Sequence, residues 1–83
     1  MEEISEETYK HKDRMFKIKV TKEADGFHVR AIDEVTRKVI DHGKCSYKVY
    51  NLIRNRKFSR DAVEGIIEVI KHTLSAWINK GLI

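Results

Sequence analysis

The sequence predicts an α+β fold: a small three-stranded antiparallel sheet, covered on one face by a long C-terminal amphipathic helix. Two observations carry that prediction. Residues 15–32 alternate apolar and polar side chains on either side of a turn, the period of a half-buried hairpin. Residues 59–81, SRDAVEGIIEVIKHTLSAWINKG, repeat their apolar side chains with a helical period between a start and a stop signal.

At the start of the chain, residues 1–13 lack a regular period, and Ile4 and Tyr9 are their only large apolar side chains. They are expected to form a flexible acidic tail ahead of a single domain at 14–83. The stretch MFKIKVTK follows, with Phe16, Ile18 and Val20 on one face and Lys17, Lys19 and Thr21 on the other. Glu23-Ala24-Asp25-Gly26 supplies turn chemistry, with Gly26 free to take a positive φ. FHVRAI then alternates again, Phe27, Val29 and Ala31 inward, His28, Arg30 and Ile32 outward. A third short strand is expected over 37–42, ended by Gly43. There Val39 and Ile40 compete for the inner face and leave its register open.

Residues 46–56 satisfy two patterns. Ser46 suits a helix cap ahead of Val49, Leu52 and Ile53, whereas Cys45, Tyr47 and Val49 alternate as in a strand. A short second helix is the favoured of the two. In the long helix, Ser59 is a natural N-cap and Asp61 suits the positive end of the dipole. Val63, Ile66, Ile67, Ile70, Leu74, Trp77 and Ile78 make one stripe. Glu64, Glu68, His72, Ser75 and Asn79 are placed opposite, and Gly81 marks the stop. Ala62, Val69, Thr73 and Ala76 form a small-residue shoulder, suited to packing of the 47–58 segment or to a homodimer contact.

Charge bears on partners. The chain carries a net +4, but residues 35–60 alone hold eight bases (Arg37, Lys38, Lys44, Lys48, Arg54, Arg56, Lys57 and Arg60) against Asp41, a balance of +7. Four of those bases lie in Arg54-Asn55-Arg56-Lys57-Phe58-Ser59-Arg60, running into the expected helix start. Basic side chains beside free backbone N–H groups suit phosphate oxygens. Tyr47, Tyr50 and Phe58 lie close enough in sequence to stack on unpaired bases. The expectation is a non-enzymatic binding module that engages DNA or RNA through a basic surface at 37–60. Its expected contacts are Lys44, Lys48, Arg54, Arg56, Lys57 and Arg60, with Tyr50 and Phe58 as stacking groups. A protein partner, including a second copy of the chain, is the alternative.

Other chemistries find little footing. The four histidines and the single Cys45 show no metal-ligand spacing, and no phosphate-loop or dinucleotide fingerprint is present, so neither a metal nor a cofactor is expected. A catalytic Cys45 would need His42 and a carboxylate gathered around it. One cysteine cannot form an intrachain disulfide. With no long apolar run and an acidic, polar beginning, the chain is expected to be cytoplasmic and off the membrane.

FKIKVTKEADGFHVRAID resembles the opening hairpin of HicB-like antitoxin domains, and SRDAVEGIIEVIKHTLSAWINKG is similar to their Glu- and Ile-rich amphipathic helix. The resemblance implies a small sheet backed by one helix, and binding to a small RNA-cleaving toxin. The family's Pro-containing segment after the second strand has no counterpart, since this chain has no proline and carries the basic residues 34–58 there.

Overall fold

The computed structural model describes residues 2–48 and 62–83. Four strands, β1 (Glu2–His11), β2 (Arg14–Lys22), β3 (Gly26–Asp33) and β4 (Val39–Ser46), form an antiparallel meander in the order β1-β2-β3-β4. One helix, α1 (Ala62–Asn79), packs on one face.

The α+β class agrees with the sequence; the expected three-stranded sheet does not. The fourth strand is β1, formed by the residues expected to be a flexible tail. Its pairing with β2 runs from Glu2 opposite Lys22 to His11 opposite Arg14, interrupted by an irregularity at Ile4. The strand carries little apolar signal because almost every side chain on it is exposed. What holds it is polar. Glu7 Oε2 accepts from Lys71 Nζ at 3.1 Å, Tyr9 and Ser75 share a hydroxyl–hydroxyl hydrogen bond, and His11 Nε2 lies 3.1 Å from Asn79 Oδ1. Every second residue of the strand thus meets every fourth residue of the helix. Those steps are about 6.8 Å and about 6 Å, so the two elements stay in register over three contacts. Ser75 and Asn79, expected on the solvent side, are therefore the attachment points of β1.

The central hairpin matches its pattern. Val20 stands opposite Val29 and Ile18 opposite Ala31. Phe16, Ile18, Val20, Val29 and Ala31 are buried against Ile70 and Leu74 of α1, flanked by Val63, Ile66, Ile67, Trp77 and Ile78. The helical stripe read from the sequence is the stripe that packs. Burying side chains of this size contributes about 1.5–3 kcal/mol each. The helix ends in a Schellman turn. Gly81 has φ 72°, its N–H bonds the Ile78 carbonyl, and the Leu82 N–H bonds that of Trp77.

Two further expectations are corrected, and a register left open is fixed. Gly43 does not end the third strand of the sequence reading; it lies inside β4, opposite Val29, and a Cβ there would stand 2.7 Å from Ile66 Cγ2. Glycine lets the helix come down onto the strand. The competition between Val39 and Ile40 is settled by a register shift: Val39 pairs with Ile32 and is half exposed, while Ile40 packs against the core. Gly26 has no positive φ. It is buried where β3 meets β4, and a Cβ would stand 2.2 Å from the Cys45 carbonyl oxygen. Of the helix expected at 46–56, Ser46 is instead the last residue of β4 and Tyr47 and Lys48 are helical, while 49–56, with Ser59 and Asp61 of the long helix, lie outside the described residues.

The β3–β4 connection is built on Asp33. Its Oδ1 accepts from the Val35 and Thr36 N–H groups, and its Oδ2 meets Arg14 Nη2 at 2.6 Å. Burial pushes this carboxyl up, but the Arg14 guanidinium and the two backbone N–H groups outweigh it and hold Asp33 below the usual aspartate range.

Candidate nucleic-acid interface

α1 covers one face of the sheet, and among the described residues nothing covers the other. Alternation puts Lys17, Lys19 and Thr21 of β2, His28, Arg30 and Ile32 of β3, and His42 and Lys44 of β4 on that face. The sequence reading placed Lys17, Lys19, His28 and Arg30 together there.

The open face is not uniformly charged. In its β1–β3 part the bases are matched by acids. Lys17 Nζ lies 2.8 Å from Glu6 and 3.8 Å from Glu34, Lys19 lies 3.8 Å from Glu6, and Arg30 Nη2 lies 3.2 Å from Glu23. The hydrogen bond from Lys17 lowers the Glu6 carboxyl, and Glu6 in turn raises the Lys17 ammonium. Around β4 the pattern changes. Arg37, Lys38, Lys44 and Lys48 are exposed, and none forms an ion pair with a described residue.

Between the two parts lies a cluster that sequence spacing did not reveal. His28 Nδ1 is 3.3 Å from Glu23 Oε2, and His28 Nε2 is 3.1 Å from His42 Nδ1. Arg30 donates both to Thr21 Oγ1 at 3.0 Å and to Glu23 Oε2 at 3.2 Å. His28, expected to be a surface residue, is only 8% exposed. Burial lowers its basicity, the Arg30 charge adds to this, and Glu23 opposes both. For Glu23, burial pushes upward, but the Arg30 and His28 contacts prevail and leave the carboxyl low. The missing signal was the β4 register, since His28 and His42 meet only once the shift at Ile40 is known.

Of the contact residues expected from sequence, Lys44 projects from the open face of β4 and Lys48 is exposed just beyond it. Arg54, Arg56, Lys57, Arg60, Tyr50 and Phe58 lie outside the described residues. Tyr47 is not a free stacking group. Its hydroxyl donates to the Glu23 carbonyl, and its ring meets Phe27 edge-on at 5.3 Å. A Cys45–His42 pair is not assembled either. Cys45 is buried opposite Phe27 on the helix side, and His42 lies on the other face of β4.

Among the described residues no group of three or more His, Cys, Asp or Glu side chains is arranged to hold a metal ion, and no helix is long and apolar enough to cross a membrane. No family model, no curated protein and no solved structure matches this chain.

Proposed function

We propose that this domain binds nucleic acid through the basic side of its open sheet face. The contacts start at Lys44 and Lys48 and extend to Arg54, Arg56, Lys57 and Arg60, with Tyr50 and Phe58 stacking on bases. The observation that carries this reading is the charge contrast across the face. The bases in the middle of β2 and β3 are held by carboxylates, whereas Arg37, Lys38, Lys44 and Lys48 have none among the described residues. Unmatched cations along the β4 edge of the sheet provide a surface for phosphates, with counterion release as the driving force. The chemistry is binding and positioning, with no bond made or broken.

The test is a titration of single- and double-stranded oligonucleotides of DNA and RNA at several salt concentrations. Binding at low salt is expected to fall with a log–log slope of about −0.7 per phosphate contact on single strands, or about −0.9 on duplex. The triple substitution Arg54→Ala, Arg56→Ala, Lys57→Ala should weaken it and flatten that slope. No binding at low salt, or binding indifferent to the triple variant, contradicts the proposal.

A second reading, a protein partner, is supported by the helix shoulder, where Val69 is 65% exposed beside Thr73 and Ala76. A second copy of the chain, or the toxin implied by the HicB-like resemblance, are the partners this reading names. A sedimentation series tests the first. Mass rising with concentration, and reverting in Val69→Lys, would favour self-association.

A further inference from the structure

We propose that the chain of contacts Glu23–His28–His42 makes His42 Nε2 a proton-gated phosphate contact, one that charges without breaking any bond in the cluster. This rests on the nucleic-acid reading above and assigns its regulation.

Donors and acceptors fix where the protons sit in this chain of contacts. Glu23 Oε2 is an acceptor and already receives Arg30, so His28 Nδ1 must donate to it. A neutral His28 then has a bare Nε2, which must accept. Its partner is His42 Nδ1 at 3.1 Å, so His42 Nδ1 must donate. That leaves His42 Nε2 as an unprotonated nitrogen on an exposed residue, with no hydrogen-bond partner among the described residues.

The incoming proton therefore has one favourable place. On His42 Nε2 it converts His42 to an imidazolium whose Nδ1–H still points at His28, now as a charge-assisted hydrogen bond backed by the Glu23 carboxylate. On His28 Nε2 it would turn His42 to its other tautomer, with Nδ1 accepting, and place the charge on the buried ring rather than the exposed one. The pair therefore takes one proton, on its outer member.

The charged surroundings determine what that proton does. Facing the pair are Lys19 from β2, Glu23 from the β2–β3 turn, Arg30 from β3 and Lys44 from β4, with Glu6 of β1 beyond Lys19; Asp41 stands opposite Ala31, on the helix side of β4. Glu23 is occupied by Arg30 and His28, and Glu6 by Lys17 and Lys19. Asp41 Oδ1 accepts from the His42 backbone N–H at 2.9 Å. Two residues along the same face is Lys44, without an ion pair among the described residues. A charged His42 beside Lys44 gives two donors on one strand for a single phosphate.

The experiment measures binding of a poly-dT oligonucleotide at pH 5.5 and pH 8.0 at constant ionic strength, in the wild-type chain and in His42→Gln. The glutamine amide can still donate to His28, so the cluster keeps its frame. Wild type is expected to bind roughly threefold to tenfold tighter at pH 5.5, the range of one added charged contact. In His42→Gln that gain is lost. Imidazole NMR across the same range should show His42 titrating while His28 keeps its proton on Nδ1. Binding that is present but equal at both pH values, an undiminished gain in His42→Gln, or His28 titrating first overturns the gate and leaves the nucleic-acid reading standing. No binding at either pH overturns both.

Discussion

The two edges of the sheet are secured by opposite means. At the β1 edge, polar side chains find partners on both sides of the strand: Glu7, Tyr9 and His11 reach α1, and Glu6 takes Lys17 and Lys19. At the β4 edge, attachment is by close approach. Gly26 lets β3 and β4 meet, Gly43 receives Ile66, and Ile40 packs inward. The polar side-chain contact of β4 with β3 is His42 to His28, and Lys44 takes no part in it. Lys44 and its neighbours remain without acid partners among the described residues, and this is the physical basis for placing a binding surface there.

The sharpest way to break the comparison is at the glycines. Gly26→Ala drives a Cβ to 2.2 Å from a backbone oxygen, which cannot move aside as a side chain would. It should destabilise the domain by about 3 kcal/mol, lowering Tm by roughly 12–24 °C in thermal melts. The same substitution at Gly65, where a Cβ meets nothing within 4 Å and the residue is helical, should instead stabilise by about 0.5–1 kcal/mol.

Asp33→Asn comes next. It removes a buried carboxylate that joins Arg14 to the β3–β4 connection, and should cost about 2 kcal/mol in denaturant melts. The sign of its pH dependence follows from the lowered carboxyl. The stability it confers is fully present above the ordinary aspartate value of 3.8 and is lost as pH falls through the lower folded value. Asp33→Asn should therefore be less sensitive to acid than the wild type below pH 4. The smallest of the losses belongs to the polar edge: Tyr9→Phe removes one hydroxyl contact and should cost about 1 kcal/mol.

The contrast also separates what could be read in the sequence from what could not. The hairpin and α1 announce themselves because their apolar residues keep strict periods, and those residues are the core. β1 could not be seen that way. Its register is carried by Glu7, Tyr9 and His11 meeting residues more than sixty positions away, and a polar column leaves no apolar period. The same limit hid the His28–His42 contact, which exists only in the shifted β4 register. Lys44 and Lys48 could be nominated because net charge is local in sequence. That Lys17 and Lys19 are matched by Glu6 could not, because Glu6 sits on a strand the periodicity missed.

The most direct test compares two double variants by the salt dependence of oligonucleotide binding. Lys44→Ala with Lys48→Ala should flatten the log–log slope by about 1.4 on single strands, two contacts at about 0.7 each. Lys17→Ala with Lys19→Ala should leave the slope unchanged, because Glu6 already holds those ammonium groups. Equal losses from both pairs, or a loss only at Lys17 and Lys19, would contradict the division of the open face on which the proposed function rests.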